Sequence, residues 1–125
     1  MQFQTMTLPQ DPDVVAPDGS DVRVLLRLER GSMAHFELAA GRISKAVAHR
    51  TVEEVWYVVR GKGKMWRRQD GRAETVDMEP GVCLTIPVGT QFQFRNIGDE
   101  PLAAIGVAMP RWPDDDEAYE VDGEW

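Results

Sequence analysis

The chain has 125 residues, 42% of them hydrophobic and 28% charged, which suits one globular domain and excludes a second domain or a largely disordered protein. Its formal net charge of −7 argues against the basic face that phosphate neutralisation requires, so no nucleic-acid partner is expected. Much of the negative charge sits near the two ends, which leaves an anionic small ligand open for the middle of the chain.

Residues 1–21 are rich in Pro, Asp and Gln without a sustained period, and read as an irregular arm ending at the turn Pro17-Asp18-Gly19-Ser20. From Val22, alternation of Val22, Val24, Leu26 and Leu28 with mostly polar neighbours predicts a strand. A second follows the break at Gly31-Ser32, with Ala34, Phe36 and Leu38 on one side and Met33, His35 and Glu37 on the other. After Gly41 a segment runs to His49, and Glu54 to Arg60 holds the β-rich run Val55-Trp56-Tyr57-Val58-Val59. Lys64 to Arg68 starts another strand, and Asp70-Gly71 marks a hairpin back into Glu74–Met78.

Val82–Ile86, Gln91–Arg95 and Leu102–Met109 complete the set, separated by turns at Glu79-Pro80-Gly81, Pro87-Val88-Gly89 and Asn96–Pro101. Cys83 is the single cysteine, which excludes an internal disulfide, and its apolar setting reads as a buried packing thiol rather than a nucleophile. Nowhere do apolar residues recur at helical spacing over three turns, so the expectation is an all-β sandwich or barrel. Residues 110–125 form an acidic tail, Asp114-Asp115-Asp116-Glu117, with Trp112, Tyr119 and Trp125 interleaved. The tail reads either as solvated or as anchored through its aromatics on the barrel or a partner subunit. No apolar run approaches about 18 residues and no basic-then-apolar leader is present, so the expectation is a soluble cytoplasmic protein with no membrane partner.

Two glycine-framed segments resemble the paired signatures of the cupin family. The first runs from Gly41 through Val47-Ala48-His49 and Glu54 to Gly61, with both glycines, the glutamate and the second histidine at the family spacing and Val47 in place of the first histidine. The second runs from Gly81 through Pro87-Val88-Gly89 to Asn96, with Phe92 at the histidine position. The frame glycines, proline and asparagine set backbone turns and can persist without a metal. The resemblance covers roughly residues 22–109. It implies a single domain over 1–125 folded as a double-stranded β-helix, or jelly-roll barrel, around a ligand site, and commonly a homodimer.

Metal-binding cupins use three histidines and a glutamate, whereas His35 and His49 are the only histidines in this chain. A two-histidine, one-carboxylate site would require His35, whose parity turns it away from the barrel interior. No cofactor is therefore expected. A weak divalent site of His49 and Glu54, helped by an oxygen of Thr51, Gln91 or Gln93, is the fallback.

With Val47, Thr51, Glu53, Trp56, Gln91, Phe92 and Phe94 as candidate ligand-binding residues, the pocket reads as apolar with a few polar groups. His49 and Glu54 are the candidate catalytic pair, since a carboxylate beside an imidazole raises its pKa and fixes its tautomer. Arg42, Arg50 and Arg95 read as rim or solvent residues. Two functions follow: a metal-independent binder of an apolar or cyclic small molecule, or an isomerase, epimerase or cyclase moving a proton through His49 and Glu54. A metal-dependent cupin enzyme with a reduced ligand set ranks third.

Overall fold

The structure, a computed structural model, describes residues 2–125 and contains two antiparallel sheets. In chain order the strands are β1 (Val14–Val15), β2 (Asp21–Leu28), β3 (Gly31–Leu38), β4 (Val47–His49), β5 (Glu53–Arg60) and β6 (Gly63–Gln69). They continue as β7 (Arg72–Met78), β8 (Cys83–Ile86), β9 (Gln91–Asn96), β10 (Leu102–Met109) and β11 (Ala118–Glu120). A single 3-10 turn, Asp115–Glu117, is the only helical piece among the described residues, and no helix is long and apolar enough to cross a membrane.

One sheet has the order β1-β2-β3-β10-β5-β8 and the other β11-β4-β9-β6-β7, which together make an all-β jelly-roll barrel. Alternation decides what each strand buries. Along β5, Glu54, Trp56 and Val58 point inward while Val55, Tyr57 and Val59 stay exposed. From the facing sheet Met65, Phe92 and Phe94 meet Trp56, Val58 and Ile86 in one apolar core. At about 25 cal/mol per Å² of apolar surface, this burial between sheets is the main force closing the barrel.

The four glycines framing the two signature segments, Gly41, Gly61, Gly81 and Gly89, all take positive φ, between 74° and 97°. Asn96 is equally occupied with backbone: its Nδ2 donates to the carbonyls of Leu38 and Glu100, and its Oδ1 accepts from the Gly98 amide. The signature frame is thus a set of corner residues, which explains its survival beside altered ligand positions.

Three differences from the sequence expectations stand out. The sheets take in two short strands outside the expected core of 22–109, because Val14–Val15 pairs with Val22 and Asp21, and Ala118–Glu120 pairs with β4. Of the two readings left open for the tail, the anchored one holds, although Asp114, Asp115 and Asp116 stay exposed. Arg50 sits 4.8 Å from the Tyr119 ring centroid and Arg95 5.3 Å from that of Trp125, so these cations hold the tail instead of a rim ligand. Cys83, expected to be buried, is exposed: in β8 Leu84 and Ile86 take the inward positions and parity turns Cys83 out.

Candidate functional site

Toward one end of the barrel the sheets part around a cavity of about 290 Å³. Val22, Val24 and Phe36 of β2 and β3, with Glu54 and Trp56 of β5, form one wall. Val47 and His49 of β4 and Phe92 of β9 form the other, and Trp112, Asp115 and Ala118 from the C-terminal segment close the side. Gly106 of β10 makes room for the central ring pair. A Cβ there would lie 2.5 Å from Phe36 Cε2 and 3.1 Å from Trp56 Nε1, whereas its absence lets the two rings stack at 4.7 Å.

Polar groups in this wall are few and deeply placed. Glu54 is 5% exposed, and its Oε1 accepts the Trp56 indole N–H at 3.0 Å. Burial pushes its carboxyl up to about 7, with the neighbouring charges of Asp18 and Glu117 acting in the same direction against the indole bond. Asp18, also buried in the cavity wall, is raised by burial despite accepting the Ser20 amide and hydroxyl at 2.9 and 2.6 Å. His49 is 4% exposed, edge-on to both Phe92 and Trp112. Burial pushes its imidazole down to about 4, only partly countered by Glu117. Among the described residues its Nδ1 is buried without a hydrogen-bond partner, a position that a ligand polar atom would satisfy.

This corrects the expected pairing of His49 with Glu54. His49 and Glu54 stand on facing sheets and line one cavity, while the carboxylate whose charge acts on His49 is Glu117. The imidazole is lowered rather than raised, because desolvation outweighs that single charge.

Glu117 was not legible among the four consecutive acids of the tail. Buried at 4% exposure, its carboxylate accepts the Thr51 amide at 2.6 Å, the Thr51 hydroxyl at 2.5 Å and the Val52 amide at 2.9 Å. Burial alone would raise its pKa, yet these bonds and the His49 ring lower it. The clamp pins the C-terminal segment over the turn that joins His49 to Glu54, helped by Arg50 Nε donating to the Asp116 carbonyl and by Ser32 Oγ accepting the Trp112 amide.

Of the other candidates, Val47, Trp56 and Phe92 line the cavity. Phe94 lies behind it, edge-on to Trp56 in the core. Thr51 is outside, its hydroxyl spent on Glu117; Glu53 is exposed because β5 alternation turns it outward; Gln91 is half-buried beyond the cavity lining. Gln93 Nε2 donates to the carbonyls of Ser44 and Trp125 and so holds the C-terminus. His35 turns away from the cavity, as its parity implied, and is buried beside Arg23, which donates to the carbonyls of Pro9 and Gln10.

The sequence matches the family described as Cupin domain over residues 34–108. It is 28% identical over 107 residues to an uncharacterized protein of Methanocaldococcus jannaschii, covering 82% of each chain. Over 55 residues, 43% of this chain and 29% of the other, it is 34% identical to a glucose-6-phosphate isomerase of Thermococcus onnurineus. The fold is similar to oxalate decarboxylase of Lactobacillus farciminis, with a TM-score of 0.71 and 24% identity over 82% of this chain and 31% of that one. The chain spans less than a third of the isomerase and of the decarboxylase.

The residues here do not fit a transition metal. Val47 and Phe92 offer no lone pair where the family signatures carry histidine, and Glu54 Oε1 is already an acceptor for Trp56. Among the described residues no three side chains of His, Cys, Asp or Glu converge on a common point. Restoring the ligands tests this directly. Val47→His with Phe92→His should convert a protein without saturable manganese or zinc binding into one taking up about one ion per chain, read by titration and elemental analysis. Stoichiometric binding by the parent chain would show that the fit has been misjudged.

Stability gives a second test. Glu54 has a folded-state pKa above its unfolded value, so its contribution is lost as pH rises from about 4.5 to about 7. His49 has a folded-state pKa below its unfolded value, so its contribution is lost as pH falls from about 6.5 to about 4. Relative to the parent, Glu54→Gln should gain about 3 kcal/mol across the first window, and His49→Gln a similar amount across the second, in chemical denaturation at stepped pH. Curves parallel to the parent's would contradict the buried, neutral state of both groups.

Proposed function

The chain belongs to the cupin family, and from that premise we propose that it binds a small, largely apolar or cyclic molecule inside its barrel without using a transition metal. The observation that carries this reading is the cavity of about 290 Å³, in which Val47 and Phe92 stand at the positions where metal-binding cupins place histidine. Hydrocarbon walls with a few buried polar atoms are what hold and orient a small ligand. His49 Nδ1 supplies one such atom and the Glu54 carboxyl another.

Oxalate and sugar phosphates are anions, and the cavity suits neither. Asp18, Glu54 and Asp115 line it, with Arg27 as the single cationic side chain among the described residues of the lining. Native mass spectrometry of freshly purified protein should show a co-purified organic molecule of a few hundred daltons at most. Ala108→Phe, which fills the lined space, should abolish it while the fold persists. Retention of the same molecule by the filled variant would place its binding elsewhere.

One observation favours a second reading, proton transfer in an isomerase-, epimerase- or cyclase-type reaction. A buried Glu54 carboxyl near 7 is matched to acid–base work at neutral pH. In that case Glu54→Gln and His49→Ala each lower kcat by about 100-fold or more while ligand affinity stays within a few-fold. Loss of affinity with no turnover by the parent protein sinks the enzymatic reading and leaves the binder.

A further inference from the structure

Resting on the reading of the cavity as a ligand site, we infer that the ligand carries a positive charge: the cavity is built for an organic cation, an amine or quaternary ammonium on an apolar or cyclic frame. The titratable groups that face it are Asp18, Glu54, Asp115, Arg27 and His49. With His49 neutral, three carboxylates against one guanidinium (−3 + 1) would leave the lining at −2.

Water cannot screen that imbalance inside the barrel, because Glu54 and Asp18 are each 5% exposed. Glu54 has one oxygen on the Trp56 indole, and among the described residues no donor reaches its second, which leaves it free for an ammonium group. Asp18 lies in the same wall with its Oδ1 accepting both Ser20 bonds, and adds a second buried carboxyl to the cavity.

The apolar part of the wall agrees with the charge. Phe36, Trp56, Phe92 and Trp112 supply four aromatic side chains to one cavity. Aromatic groups around a desolvated ammonium are a favourable environment that a neutral hydrocarbon does not exploit and an anion opposes. Asp115 and Arg27 are exposed at the mouth, and Asp115 is flanked by exposed Asp114 and Asp116. The entrance field is therefore negative and draws cations inward.

In the empty cavity the mismatch is relieved by protons: burial raises both Glu54 and Asp18. A bound cation takes the place of the Glu54 proton. Binding therefore releases a proton near neutral pH, and the affinity of a permanently charged ligand rises with the ionised fraction of Glu54.

The test uses one ring with three charges: cyclohexylammonium, cyclohexanol and cyclohexanecarboxylate, titrated calorimetrically into the full chain. Cyclohexylammonium should bind about tenfold or more tighter than cyclohexanol, and the carboxylate weakest. The affinity of the cation should rise about tenfold between pH 6 and pH 8, with proton release detected in buffers of different ionisation enthalpy. Glu54→Gln should remove that pH dependence, and Asp115→Asn, at the exposed mouth, should weaken the cation alone. Cyclohexanol or the carboxylate binding as well as the cation overturns the charge assignment and leaves the apolar binding site standing. Failure of all three to bind the folded protein overturns the ligand site itself, and the charge assignment with it.

Discussion

Two ionisable side chains, His49 and Glu54, are buried in the wall of one cavity, and neither forms an ion pair among the described residues. A buried charge without a partner costs several kcal/mol, so each group responds by staying neutral. The imidazole does so by falling to about 4 and the carboxyl by rising to about 7. A carboxylic acid and an uncharged imidazole then face one another across an apolar gap. Neither can behave as the solvated, ionised side chain its type suggests.

That constraint depends on the C-terminal segment. Without Trp112, Asp115 and Ala118 the cavity would open on that side, and the clamp of Glu117 on Thr51 and Val52 keeps them in place. The tail is thus part of the site wall. One acid of its four-residue acidic run is buried and bonded, and its neighbours are exposed. The same segment presents Trp112 edge-on to His49, so the docked tail adds to the desolvation that Phe92 begins.

Much of the barrel was legible because strand period and turn chemistry are local properties. The alternation of Glu54, Trp56 and Val58 with Val55, Tyr57 and Val59 names the inward face of β5 without reference to any other strand. The glycines at 41, 61, 81 and 89 announce corners because only glycine adopts their φ at no cost. Trp56 followed from the same period, Val47 and Phe92 from their places in the signatures that resemble the cupin family, and the three do meet in the cavity.

What was not legible depends on contacts distant in sequence. Cys83 was judged by its apolar neighbours, whereas period 2 sets it with Thr85 opposite Leu84 and Ile86, and pairing of Leu84 with Trp56 fixes that face inward. Thr51 belongs to a turn, so extending the β4 period through it fails. Glu117 lies 66 residues from the backbone amide it accepts, and a run of acids ordinarily reads as solvated. The His49 shift went the other way because the expected carboxylate neighbour is across the cavity, leaving desolvation to dominate.

The central claim, that the barrel holds both groups uncharged in an apolar site, is tested most directly by nuclear magnetic resonance. Following the side-chain carbon of Glu54 and the ring resonances of His49 through a pH titration should show Glu54 ionising near 7 and His49 protonating near 4. Ordinary titration, with Glu54 ionising near 4.5 and His49 protonating at or above 6.5, would mean that water or an ion pair reaches the site, and would contradict the account.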